Sequence, residues 1–124
     1  MDEWEILYWD ENNDNPIGKW LDDLTKDQYK CVAKELFLLR KCGNLLRIPH
    51  SKPLEDGLFE LREMHFGYRV YYAFFKGKVI VLLQGGDKSS QSRDIKIAKK
   101  RLSRLKEDQN AIKKLSRTPW IKIK

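Results

Sequence analysis

The period of the hydrophobic pattern changes twice along this chain, and that change limits its architecture more than any single motif. Ile17, Trp20, Leu21 and Leu24, then Tyr29, Val32, Ala33, Leu36 and Leu39, recur at helical spacing. From Leu58 the period becomes that of strands, in the runs Leu58 to Met64, Tyr68 to Phe75 and Val79 to Gln84, joined by Phe66-Gly67 and Lys76-Gly77. After Gly85-Gly86 the helical period returns, with Ile95, Ala98, Leu102 and Leu105 on one face and Lys96, Lys99, Lys100, Arg101 and Arg104 largely on the others. Local signals mark the boundaries. Asn15-Pro16 is a helix entry, Thr25-Lys26-Asp27-Gln28 has the form of a capping box, and Gly43 is a stop. Glu3 to Trp9, with Trp4, Ile6 and Tyr8 on one side, reads as an opening strand that Asp10 to Asn15 breaks. The order β-α-α-β-β-β-α predicts an α+β domain: an antiparallel sheet with an N-terminal helical hairpin packed on it and a C-terminal helix.

At 124 residues the chain has the size of one domain, and five Phe, five Tyr and four Trp supply enough apolar material to fold it. No apolar stretch approaches the roughly 20 residues of a membrane span. The start, Met1-Asp2-Glu3-Trp4-Glu5, is acidic where a signal peptide is basic, so a soluble, cytoplasmic protein is expected. Cys31 and Cys42, if they share one helix, lie about 16 Å apart along it, too far for a disulfide and suited to a reducing compartment. With His50 and His65 they make no ligand set of zinc spacing, so neither metal nor cofactor is expected.

The net charge of +7 is unevenly spread: residues 1–27 carry −7, residues 28–92 carry +5 and residues 93–124 carry +9. A basic second half behind an acidic start fits a polyanion binder, and by itself it equally fits a membrane-surface or solubility role. The strands offer a place for that chemistry. With Phe66-Gly67 as a two-residue hairpin loop, Met64 faces Arg69 and Arg62 faces Tyr71, which puts both arginines on one side of the sheet. With Lys76-Gly77 as another, Arg69 faces Gln84, whose strand runs into Gly85-Gly86-Asp87-Lys88-Ser89-Ser90-Gln91.

Metal-free RNA cleavage needs a 2′-hydroxyl held in line with phosphorus, a base, positive charge on the phosphorane and an acid for the leaving oxygen. Arginine forks bind phosphate oxygens and stay charged, and a lysine crowded by other cations can stabilise charge or move a proton. Arg62, Arg69 and Lys88 would provide this, Gly85 and Gly86 would let backbone N–H groups approach phosphate, and Gln91 and Tyr68 would bind or stack a base. Strand arginines beside aromatics also serve simply to cover a sheet face, and a Gly-Gly pair simply to turn the chain.

Three blocks in order, Lys52-Pro53-Leu54-Glu55-Asp56-Gly57-Leu58-Phe59-Glu60-Leu61-Arg62, Gly67-Tyr68-Arg69-Val70-Tyr71-Tyr72 and Val81 through Ile95, resemble the RelE/ParE toxin superfamily, closest to its HigB-like "addiction module killer" branch. The likeness covers roughly residues 3 to 104. It implies a toxin of a type II toxin–antitoxin pair that cleaves translated mRNA on the ribosome. Its expected partners are the ribosome, mRNA and a small antitoxin with a helix-turn-helix DNA-binding domain, through which alone it would reach operator DNA; no membrane is expected. Matched by position, the catalytic residues fall on Arg62, Arg69 and Lys88. Lys52, His65, Tyr68 and Ser89 are expected to bind RNA or support the site, as are Gln91, Arg93, Lys99 and Lys100.

The chain departs from the family in two places. Many active relatives have a tyrosine or histidine where this sequence reads Ser92-Arg93-Asp94, which leaves His65 and Lys52 as candidates for the general base. The toxin-like domain is expected over residues 1–105, with 106–124 as a basic extension whose Pro119-Trp120-Ile121 would pack back or bind a partner. Two other functions compete with the nuclease: a ParE-like toxin that binds DNA gyrase, and a decayed toxin that only binds its antitoxin.

Overall fold

The helical hairpin begins and ends where side chains and one glycine answer its unpaired backbone groups. A computed structural model of the chain describes residues 3–12 and 14–115. After a first strand, β1 (Glu5–Tyr8), helix α1 (Pro16–Asp23) starts with Pro16 in its first turn, and the Asn15 side chain accepts from the Gly18 N–H at 2.9 Å. Helix α2 (Lys26–Cys42) starts in a complete capping box. Thr25 Oγ1 accepts from the Gln28 N–H, and Gln28 Oε1 accepts from the Thr25 N–H. It ends at Gly43, whose φ of 53° suits a residue without a side chain; a Cβ there would also run into the Trp4 ring. The stripe Tyr29, Val32, Leu36 and Leu39 is buried as its spacing predicts, and Cys31 and Cys42, both on this helix, are free thiols.

Four strands follow the hairpin and its one-turn 3-10 helix (Gly43–Leu45): β2 (Ser51–Pro53), β3 (Phe59–Arg62), β4 (Arg69–Phe75) and β5 (Val79–Gly86). A second 3-10 turn (Lys88–Ser90) leads into helix α3 (Gln91–Glu107), and a third covers Gln109–Lys114. The strands form one sheet in the order β1-β5-β4-β3-β2. The expected three-strand antiparallel meander is β3 to β5; β2 extends it as an unexpected antiparallel edge strand, and β1 adds in parallel with β5, so the complete sheet is mixed. Ile6, Leu7 and Tyr8 are buried consecutively, as in a strand covered on both faces.

The two glycines that close β5 show how the layers lie. Neighbouring residues of a strand point to opposite faces. A Cβ at Gly85 would lie 2.5 Å from the Trp20 ring of α1, while one at Gly86 would strike the Asp94 carboxylate of α3. The hairpin therefore covers one face and α3 the other. On the hairpin face Phe74 packs edge-on against Phe59, Trp4 and Tyr72, with ring centroids 5.0, 5.1 and 5.5 Å away. On the other, α3 buries Ala98, Leu102 and Leu105. The chain past residue 105 continues α3 by two residues and then returns to the domain, with Ala111 and Ile112 against the core and Leu115 buried. Pro119-Trp120-Ile121 lies outside the described residues. Among those residues no helix is long and apolar enough to cross a membrane.

Three tyrosines are locked into the protonated state. Burial, reinforced by Tyr29 and Asp22, holds the Tyr8 phenol well above its ordinary value. Burial, then the charges of Glu60 and Asp94, does the same to Tyr71, and burial pushes Tyr72 up to about 12 although its hydroxyl meets that of Ser51. An unfolded tyrosine ionises near pH 10, so between there and the folded values the unfolded state binds fewer protons. Stability should be unaffected by these groups below about pH 10 and fall steadily above it. A spectrophotometric titration checks this: the phenolate band of the three should appear only together with loss of the near-UV circular dichroism.

Candidate functional site

The face that α3 covers carries the charged residues singled out in the sequence. Arg62 pairs directly with Arg69 across β3 and β4, and Glu60 pairs with Tyr71. Side chains on directly opposed residues of an antiparallel pair share a face, so Glu60, Arg62, Arg69 and Tyr71 do. Both hairpin registers differ from expectation. The β3–β4 connection is wider than two residues because the buried Glu63 carboxylate accepts from the N–H groups of His65 and Phe66, at 2.6 and 3.0 Å. The β4–β5 turn takes three residues, with Lys78 at positive φ, and a bulge interrupts the ladder between Tyr71 and Tyr72. Arg69 consequently faces Gly86 rather than Gln84, and Gln84 faces Tyr71. Each shift moves the partner by an even number of residues, so the arginines keep their common face.

At the centre of that face is a residue the sequence reading passed over. Glu60 is 2% exposed, and its two carboxylate oxygens lie 3.6 Å from Arg62 Nε and 3.7 Å from Arg69 Nε. Gln91 Nε2, from the first turn of α3, donates to Oε2 of the same carboxylate at 2.9 Å. Arg69 also donates through Nη1 to the Gly67 carbonyl at 3.1 Å; its side chain is 11% exposed against 30% for Arg62. One turn further, Asp94 is buried and accepts from Ser90 Oγ at 2.6 Å and from Gln84 Nε2 at 2.9 Å. Arg101 completes this second network, donating to Gln84 Oε1 and to the Leu83 carbonyl, both at 2.7 Å. Two buried carboxylates thus balance the arginines locally, and surplus positive charge resides on exposed groups.

Of the supporting residues, Lys52 pairs with Glu60 from the edge strand, which places it exposed on the arginine face. Lys88 is exposed in the turn just past Gly86, with Arg93 and Lys100 exposed on α3. Ser89 Oγ is committed to Asp87, and Lys99 meets Glu55 at 3.4 Å on the surface. His65 is in the loop between β3 and β4, its ring 4.5 Å from that of Phe66. Tyr68 does not join the arginines: its ring packs edge-on against Trp20 of α1, 5.7 Å away, on the hairpin side. Gly85 and Gly86 do not form a cradle for phosphate. Both are buried ladder residues whose missing side chains admit Trp20 and Asp94.

Asp94 had a legible signal, since it extends the buried stripe Ala98, Leu102 and Leu105 one step upstream. Glu60 had none, because a glutamate in an alternating strand reads as a solvent-facing residue.

Residues 19–103 match the family described as "Phage derived protein Gp49-like (DUF891)", a RelE-like toxin–antitoxin family. A protein of Haemophilus influenzae, described as an uncharacterized protein, is 53% identical over 84 residues, which span 67% of this chain and 82% of the relative. The matched segment holds every residue named above in the two charged networks.

Proposed function

Because this chain belongs to the phage-derived Gp49-like family, a RelE-like toxin–antitoxin family, we propose that it is a HigB-like toxin that stops translation by cutting mRNA on the ribosome. The observation that carries this reading is the cross-strand pair Arg62 and Arg69, with the Lys88 turn beside it at the end of β5. Cleavage by the 2′-hydroxyl concentrates negative charge on the phosphorane, and preorganised guanidiniums stabilise that charge without reorganisation. In this scheme Arg62 and Arg69 bind the scissile phosphate, and the exposed Lys88 neutralises the leaving oxygen. Exposed Lys52, Arg93 and Lys100 add phosphate contacts on either side, as a ribosomal substrate requires. The reading brings with it a cytoplasmic site of action and a helix-turn-helix antitoxin as partner.

The test is induction of the chain without its antitoxin, with transcript 5′ ends mapped across the transcriptome. New ends inside translated codons, absent from untranslated regions, are expected. Growth arrest with intact mRNA would remove the nuclease reading, and an accompanying DNA-damage response would replace it with a gyrase-binding toxin.

A further inference from the structure

A carboxylate buried in a sheet face costs free energy unless charge and hydrogen bonds compensate it, and apolar residues of like volume often replace such ion clusters with no loss of stability. Stability alone therefore does not account for Glu60. Its surroundings do. Arg62 and Arg69 face each other directly, an arrangement of like charges that repels, and this carboxylate meets both, one oxygen towards each Nε. Both Nε atoms are buried and have no hydrogen-bond acceptor among the described residues, so these charge contacts are what hold them. Arg62 meets Glu60 through Nε, its inner nitrogen, which leaves the terminal nitrogens of the fork outside that contact. Gln91 bonds the same carboxylate and so fixes the start of α3, and with it the preceding Lys88–Ser90 turn, to the arginine pair.

We infer that Glu60 is a positioning residue: it clamps Arg62 and Arg69 by their inner nitrogens, aims their outer nitrogens at one phosphate, and ties the Lys88 turn to them through Gln91. The inference rests on the nuclease reading for its consequence in catalysis, but the clamp is observable without it. Effective charge stabilisation requires donors set before the reaction, and displacement by even about 1 Å can cost about a hundredfold in rate.

The experiment uses the full chain with Glu60→Gln, which preserves shape and removes the charge. In a translation system of programmed ribosomes, kcat should fall by about thirtyfold or more while KM for ribosomes stays within about threefold, because the exposed cations that dock are untouched. The Nε–H resonances of Arg62 and Arg69 in 15N-labelled protein, protected from solvent exchange in the parent, should become fast-exchanging. A folded Glu60→Gln protein that cuts at the parental rate overturns the inference. If Glu60→Gln does not fold, Gln91→Ala decides: unchanged kcat together with unchanged Nε–H exchange overturns the clamp, and loss of both supports it. If the parent protein itself cuts no mRNA, the nuclease reading fails. The exchange data then judge the clamp alone, persistence of protection in Glu60→Gln overturning it.

Discussion

Arg69→Ala is expected to end growth arrest and lower mRNA cleavage by about a hundredfold or more, the loss typical when one preorganised donor to a developing oxyanion is removed. Arg69 opens β4, where the backbone is fixed on both sides by Arg62 and Gly86. Truncation removes the fork but leaves Glu60 with Arg62 and Gln91, so the stability cost should stay near 1–2 kcal/mol. Denaturant titration, read beside 5′-end mapping, separates loss of chemistry from loss of fold. Arg69→Lys keeps the charge without the planar fork and should recover part of the activity. Cleavage unchanged in Arg69→Ala would take the arginine pair out of the mechanism.

The second large effect is on stability. At Gly86 an added methyl group would meet the Asp94 carboxylate and lie 2.7 Å from Ser90 Oγ, the two groups that seat the start of α3 on β5. Gly86→Ala should destabilise the protein by about 3 kcal/mol, in the upper range for overpacking a close contact. Gly67→Ala is the comparison, since nothing lies within 4 Å of its added Cβ and only the φ of +83° is strained. It should cost about 1–2 kcal/mol. Urea midpoints of the two variants check the order; a Gly86→Ala protein as stable as Gly67→Ala would mean that α3 does not rest on this strand.

Local chemistry made the helices legible. The Asn15 cap, the Thr25–Gln28 box and the Gly43 stop act within a few residues, and the buried stripe between them follows from a single period. The sheet was legible in its central strands, β3 to β5, whereas the edge strand β2 and the partner of β1 were not. Lys52 and Pro53, two exposed residues in a three-residue strand, give no alternation to detect, and nothing near Ile6 reveals that its partner is Ile80. Register depends on how Glu63 widens one turn and how a bulge shifts another, both side-chain and packing effects beyond sequence periodicity. The arginines were placed on a common face because the two errors were even. Tyr68 lies apart from the arginines for the opposite reason: it is adjacent to Arg69 in sequence, and neighbouring residues of an extended segment point to opposite faces.

The parallel pairing of β1 with β5 also sets an order of events during synthesis. The first strand made has its partner at Val79 to Leu82, and β5 in turn needs β4 beside it. Closing so long a loop is slow, and during synthesis it waits until that part of the chain has emerged. Trp4 meanwhile can rest against the finished hairpin, where its N–H bonds the Arg40 carbonyl at 3.0 Å and its ring fits over Gly43. The grip of Gln91 on Glu60 comes later still, since residue 91 follows β5. A chain stalled or cut before residue 91 lacks the contact that holds Glu60 from α3, so the setting of the arginine pair is completed only after the sheet has closed.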